Sequence, residues 1–236
     1  MTARRMCIAW LVAIAALPTW AADAFTDAMQ TAYVPYRTAL FRTNGKDVQQ
    51  AVEATEQTLR AWQALASRFA AQPPAPYTRD AQFAATLAQV AAVYERADQQ
   101  VKAGRLAEAH ETLEQVRDQL AELRRRNNVV VYSDHMNAYH AVMEYTLDEG
   151  AKAEAATLDA MRLMARVGAL EYLAARLRAE APDALRQDAD FNAQLQALDA
   201  SVAALRGAVL GGDPQKVREA LARLKPAYSR MFLKCG

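Results

Sequence analysis

The side chains best suited to chemistry lie between Asp134 and Glu144. Met136, His140 and Met143 are spaced four and three residues apart, so on an α-helix they share one face. Thioether and imidazole together form a soft donor set that suits Cu(I) or haem iron. Methionine at this spacing is also ordinary core packing, so both interpretations stay open here.

Two more soft donors, Met231 and Cys235, come near the end of the chain. In an up-down helical bundle the start of the first helix lies beside the end of the fourth, which would bring these donors towards Met136. The sequence therefore predicts a metal site whose candidate ligands are Met136, His140, Met143, Met231 and Cys235. Copper and haem are the candidate cofactors, and a plain core without a cofactor is the alternative.

The sequence carries no recognisable catalytic motif. No Ser or Cys stands in a nucleophile turn, and no glycine-rich phosphate loop is present. None of the histidines, His110, His135 and His140, has Glu three residues before it, which argues against a di-iron bundle. We therefore expect a protein that is not an enzyme. His110 opens the predicted fourth helix and is expected at the surface. The tyrosines at 33, 36, 132, 139 and 145 are interpreted as core packing or as the lining of a small-ligand pocket.

Composition limits the class of protein. Of the 236 residues, 53% are hydrophobic and 23% are charged, which is too apolar for a disordered chain. The formal net charge of +1 gives no basic excess for a phosphate backbone, so nucleic acid is not an expected partner. Only 8 Gly and 8 Pro interrupt a chain rich in helix-forming residues.

Residues 1–22 have the build of a secretory signal peptide. Arg4 and Arg5 precede an apolar run at 7–17, and small residues stand before Asp23. The run is shorter than the ~20 residues needed to cross a bilayer, so we expect cleavage, a periplasmic location and no transmembrane anchor. Cleavage would leave Cys235 as the only thiol, which permits a homodimer but no internal disulfide.

An apolar pattern repeats about 108 residues along the chain. The spacing of residues 83–101 recurs at 191–209, and that of 104–123 recurs at 212–231. Steps of four and three place these side chains in one narrow stripe, or seam, along a helix. The predicted helices are 24–43, 46–71, 79–102 and 105–124, then 132–148, 151–181, 187–210 and 214–233. Short links make neighbours antiparallel, so we expect an all-α fold of two tandem up-down-up-down four-helix bundles, residues 23–127 and 128–236.

Three short motifs carry a resemblance to a known family. Asp27-Ala28-Met29 opens the first helix, Pro73-Pro74 follows the second, and Ala103-Gly104-Arg105 precedes the fourth. This pattern resembles the cytochrome b562 family and, more loosely, the cytochromes c-prime. The resemblance implies haem held by a first-helix Met, which falls at Met29 and Met136. It also implies a His near the end of the fourth helix, and those positions hold Arg124 and Phe232 instead.

The run Arg124-Arg125-Arg126 is interpreted as a solvated helix end, and no Cys-x-x-Cys-His motif for covalent haem is present. The expected function is that of an exported, non-enzymatic helical-bundle protein that binds a metal, a haem or a periplasmic protein partner, or else a small ligand. The alternative is an electron-transfer b-type cytochrome with unusual haem ligation.

Overall fold

A computed structural model describes residues 23–152 and 160–236. Within these ranges the chain is helical and has no strand, which confirms the all-α prediction. The α-helices are α1 (Ala24–Thr43), α2 (Val48–Phe69), α3 (Phe83–Lys102), α4 (Leu106–Arg126), α5 (Tyr132–Lys152), α6 (Ala160–Ala179), α7 (Asp183–Arg186), α8 (Ala189–Gly211) and α9 (Pro214–Cys235). The predicted signal peptide, and residues 153–159 of the predicted helix 151–181, lie outside the described ranges.

Local sequence explains where the helices begin and end. The carboxylates of Asp23, Asp47, Asp188 and Asp213 accept hydrogen bonds from backbone amides in the first turn of the helix that follows each of them. Gly212 ends α8 in the left-handed conformation, with φ of 67°, which a glycine adopts without strain. These caps satisfy backbone groups that have no partner within the helix.

Each half of the chain closes a ring of helix contacts. In the N-terminal half, α1 contacts α2 and α4, and α3 contacts the same two helices. In the C-terminal half, α5 contacts α6 and α9, and α8 contacts the same two helices. Helices α1 and α9 also contact each other, and this contact joins the halves. The internal repeat and the division into two domains stay predictions.

The buried apolar side chains follow the predicted seams. In α3 they include Phe83, Leu87, Val90, Tyr94, Ala97 and Val101. In α8 they include Phe191, Leu195, Leu198, Val202, Leu205 and Val209. Most of the buried apolar residues belong to one continuous cluster that runs through both halves, from Phe25 to Cys235. The core is therefore shared between the halves of the described chain. None of the described helices is both long enough and apolar enough to cross a membrane.

Helix α5 is longer than the sequence predicted. The sequence predicts that this helix ends at residue 148, but α5 continues through Gly150 to Lys152. A Cβ atom at Gly150 would lie 2.5 Å from Cδ1 of Leu221 in α9. The glycine therefore permits close packing of α5 on α9.

Candidate functional site

A pocket of about 360 Å³ lies where the two halves meet. Its walls come from the end of α1, the first half of α4, the middle of α5 and the second half of α9. Apolar side chains form most of the surface, including Leu40, Phe41, Met143, Pro226 and Phe232. Charged and imidazole side chains also converge on it, namely His110, Glu114, Arg117, His140 and Lys225. An apolar cleft with a few convergent polar groups is the usual form of a small-molecule site.

Among the described residues that line the pocket, Glu114 is the only acidic side chain. Its Oε1 lies 3.4 Å from Nε2 of His110, 3.1 Å from Nη1 of Arg117 and 3.8 Å from Nε2 of His140. Burial opposes ionisation, but the hydrogen bond from His110 and the charge of Arg117 outweigh it and lower the pKa of Glu114 to about 2. The carboxylate is therefore ionised at neutral pH and holds groups from α4 and α5 around one charge.

His140 is a half-buried imidazole between cationic and anionic neighbours. Its Nε2 lies 3.4 Å from Oε1 of Glu144, and Nη1 of Arg117 lies 3.0 Å from its Nδ1. Burial lowers the pKa of His140, and the charge of Arg117 lowers it further, although the two glutamates act in the opposite direction. A neutral ring follows at pH 7, and its unprotonated nitrogen can accept a hydrogen bond from Arg117.

Arg117 has a buried guanidinium, with 9% of its side chain exposed. The group donates to Glu114 and lies over the ring of Phe232, 4.9 Å from its centroid. Its Nε is buried and has no hydrogen-bond acceptor among the described residues. Buried N–H groups normally have a partner, so this donor is an exception among the buried polar groups.

His110 belongs to the pocket, so the prediction that it lies at the surface is wrong. Only 14% of its side chain is exposed. Its Nδ1 lies 3.1 Å from the carbonyl oxygen of Leu40, and its Nε2 lies 3.1 Å from Nδ2 of Asn44. The carbonyl can only accept, so the Leu40 contact places a hydrogen on Nδ1. The end of α1 therefore fixes the orientation of this ring.

The predicted metal ligands are distributed between the pocket and the core. His140 and Met143 line the pocket, whereas Met136, Met231 and Cys235 do not. Met136 and Met231 are fully buried, and the Cys235 thiol donates to the carbonyl oxygen of Met231 at 3.1 Å. Burial raises the pKa of Cys235 to about 12, which disfavours the thiolate that binds metals.

No group of three or more His, Cys, Asp or Glu side chains in residues 23–152 and 160–236 is arranged to hold a metal ion. The predicted site of five soft donors includes three methionines, which this grouping does not cover, so it stays a prediction.

The two positions compared with haem ligands in the N-terminal half are in direct contact. Nη1 of Arg124 lies 3.7 Å from the sulfur of Met29, and both side chains are about 1% exposed. Nε of Arg124 donates to both carboxylate oxygens of Asp134 at 2.9 Å. The solvated-end interpretation is therefore wrong for Arg124. A guanidinium has no lone pair to offer iron, so Met29 and Arg124 do not fit a haem with two axial ligands.

The two positions compared with haem ligands in the C-terminal half do not hold a pair of iron-binding side chains either. Met136 is fully buried, and its carbonyl oxygen accepts a hydrogen bond from the Tyr228 hydroxyl at 3.3 Å. The position compared with the histidine holds Phe232, whose ring lies under the guanidinium of Arg117. Neither side chain at the compared position, Arg124 or Phe232, can ligate iron.

Of the five tyrosines that the sequence singled out, none lines the pocket, although Tyr228 does. Tyr33, Tyr36 and Tyr139 are buried in the core, and Tyr139 stacks on Tyr228 with ring centroids 5.7 Å apart. The packing interpretation therefore holds for these three.

The chain matches no protein-family model, and neither a curated protein nor a solved structure is significantly similar to it. The resemblance to cytochrome b562 therefore stays a prediction.

Proposed function

We propose that this is an exported, non-enzymatic binding protein whose small-molecule ligand occupies the pocket between the two halves. The observation that carries the proposal is the pocket itself, an apolar cleft with five charged or imidazole side chains in its wall. Titratable groups with shifted pKa values cluster at functional sites, and Glu114 and His140 both have shifted values.

Binding without chemistry is supported by the hydrogen bonds of His110. The nearest hydroxyl is that of Thr43, whose Oγ1 lies 3.0 Å from Nδ1 of His110. That nitrogen already carries a hydrogen directed to Leu40, so it cannot take a proton from Thr43. The Thr43–His110–Glu114 alignment therefore lacks the base that a hydrolytic triad requires.

A fragment screen by two-dimensional NMR tests the proposal on the mature chain. We expect small aromatic fragments to shift resonances of residues in the pocket wall. Ser229→Trp fills the pocket and should abolish these shifts, whereas Ser67→Trp, at an exposed position of α2, should leave them unchanged. Fragment binding that survives in the Ser229 variant, or no binding to the native chain, would contradict the proposal.

Export is tested separately. After expression with residues 1–22 in a Gram-negative host, we expect the protein in the periplasmic fraction with Asp23 as its first residue. Recovery in the cytoplasm with Met1 retained would contradict it.

The metal-binding and electron-transfer alternatives have their own measurement. Protein purified from the periplasm should show a Soret absorption band if it carries haem, and elemental analysis should detect copper if the soft-donor site is filled. A Met136→Ala/His140→Ala variant with unchanged metal content would contradict the metal site.

A further inference from the structure

The described residues of the pocket wall carry two cationic groups, Arg117 and Lys225, and one carboxylate, Glu114. Nitrogen atoms of His110, Arg117 and His140 surround Glu114 within 3.8 Å. A second carboxylate, Glu144, lies outside the lining residues and pairs with Lys225 at 3.0 Å. A cationic ligand would therefore find Glu114 already neutralised, whereas an anion would meet side chains of opposite charge.

Two positive charges are placed to meet an anion. The Arg117 guanidinium lines the pocket, with 9% of its side chain exposed. The Lys225 side chain is 44% exposed, and its ion pair with Glu144, at 3.0 Å, is partly solvated. The ammonium end of this pair is partly solvated, and Glu144 keeps a second contact, to Nε2 of His140 at 3.4 Å, when Lys225 turns to a ligand. Arginine and lysine are also the side chains that recognise carboxylates.

The apolar residues of the pocket wall determine the size and character of the apolar part of the ligand. Phe41, Pro226 and Phe232 offer flat or compact apolar surfaces. The volume of about 360 Å³ is at the small end of ligand sites, so it suits one aromatic ring or a short branched chain. Apolar walls beside these cationic side chains suit a ligand that has an apolar body and one polar end.

We infer that the ligand is a small organic anion, an aromatic or branched carboxylic acid, whose carboxylate meets Arg117 and Lys225 while its apolar body lies against Phe41 and Phe232. This inference rests on the proposed function, since it identifies the ligand class of the same pocket.

Three probes of nearly equal size test the inference on the mature full chain at pH 7. They are phenylacetate, its neutral amide phenylacetamide, and the cation phenethylammonium. Titration calorimetry, supported by ligand-observed NMR for weak binding, should give measurable affinity for phenylacetate. We expect affinity at least about tenfold weaker for the amide and none for the cation.

Substitutions of Lys225 and Arg117 then test whether these side chains contact the carboxylate of the ligand. Lys225→Met should weaken phenylacetate binding about three- to tenfold, because it removes an ion pair at a partly solvated position. Lys216→Met is the matched control on the same helix, 73% exposed and outside this pocket, and should bind as the native chain does. Arg117→Met should weaken binding further. Because Arg117 is buried, its thermal unfolding is measured alongside, and the Lys225 variant decides the question if the Arg117 variant fails to fold.

The outcomes separate the two proposals. If phenylacetamide or phenethylammonium binds as tightly as phenylacetate, the pocket is a binding site but the anion inference is overturned. Absence of phenylacetate binding up to millimolar concentration also overturns it, and so does equal loss in the Lys225 and Lys216 variants. Failure of the proposed function is seen independently, as a fragment screen that finds no ligand blocked by Ser229→Trp.

Discussion

Arg124 is the most buried charged side chain among the described residues. Its guanidinium lies between the carboxylate of Asp134 and the sulfur of Met29. It thus ties the end of α4 to the start of α5 and to α1. A buried ion pair contributes little beyond its desolvation cost while it is intact, but removal of one partner leaves an uncompensated charge.

Arg124→Met should therefore lower the free energy of unfolding by about 3 kcal/mol, measured by urea denaturation. Arg125→Met is the matched control, because Arg125 is the next residue, is 74% exposed and pairs with Glu122 three residues earlier on the same helix. Its expected cost is below about 0.5 kcal/mol. Equal costs for the two variants would refute the burial of Arg124.

Cys235 should react slowly in the folded protein. Its thiol is buried and its pKa is raised to about 12, so almost no thiolate is present at pH 8. We expect a chromogenic disulfide reagent to label Cys235 much more slowly in native protein than in denaturant, by at least about a hundredfold. A disulfide-linked homodimer would require this thiol to become exposed. Rapid labelling of native protein, or a dimer band in non-reducing electrophoresis, would show that the last turn of α9 opens.

His140 should make stability depend on pH. The folded state favours the neutral ring, whereas the unfolded ring takes up a proton below its ordinary pKa of 6.5. The unfolded state then binds more protons, so stability is fully present above pH 6.5 and falls as the pH is lowered. Urea denaturation from pH 7.5 to 5 should show this decline in the native chain and a smaller one in His140→Gln. His135→Gln, on the same helix but outside the pocket, should decline as the native chain does.

Helix positions are the part of the fold that the sequence predicts best. The boundaries of α1 are as predicted, because Asp23 supplies a cap and the apolar spacing runs without interruption to Thr43. Helix α3 begins four residues later than predicted, because residues 77–79 form a separate 3₁₀ turn. The end of α5 is mispredicted because the sequence alone does not show whether Gly150 ends a helix or packs closely against a neighbouring helix.

Core truncation in α4 tests the predicted seam. Leu113 is 1% exposed within α4, and its carbonyl oxygen accepts a hydrogen bond from Tyr36. Leu113→Ala should destabilise the protein by about 2–5 kcal/mol because it leaves a cavity. Gln115→Ala changes an exposed neighbour on the same helix and should cost less than about 0.5 kcal/mol. Similar losses in both would contradict the assigned buried face.

The pocket was only partly predictable. The sequence singled out His140 and Met143 as one face of α5, and both line the pocket. It missed Glu114 and Arg117, and it placed His110 elsewhere. The spacing of these three residues, four and then three, does put them on one face of α4. What the spacing does not encode is that side chains of α4 meet those of α5 and α9 across the pocket, as Arg117 meets His140 and Phe232.

Contacts between the two halves of the described chain are both apolar and polar. The guanidinium of Arg37 in α1 donates to the backbone carbonyl oxygens of Lys234 and Gly236. Arg117 in α4 meets His140 in α5 and Phe232 in α9. Together with the continuous apolar cluster, these contacts favour a chain that unfolds as one unit.

Urea denaturation monitored by two probes tests this cooperativity. Trp10 and Trp20 lie in the predicted signal peptide, so in the mature chain fluorescence reports on Trp62, which is buried in the N-terminal half. Far-ultraviolet circular dichroism reports on the helices of both halves. We expect the two transitions to coincide. Leu221→Ala, a truncation in α9, should also move the Trp62 transition to lower urea, because the halves share one core. A Trp62 transition that is unmoved by Leu221→Ala, with a separate transition in circular dichroism, would instead indicate two independently folding bundles.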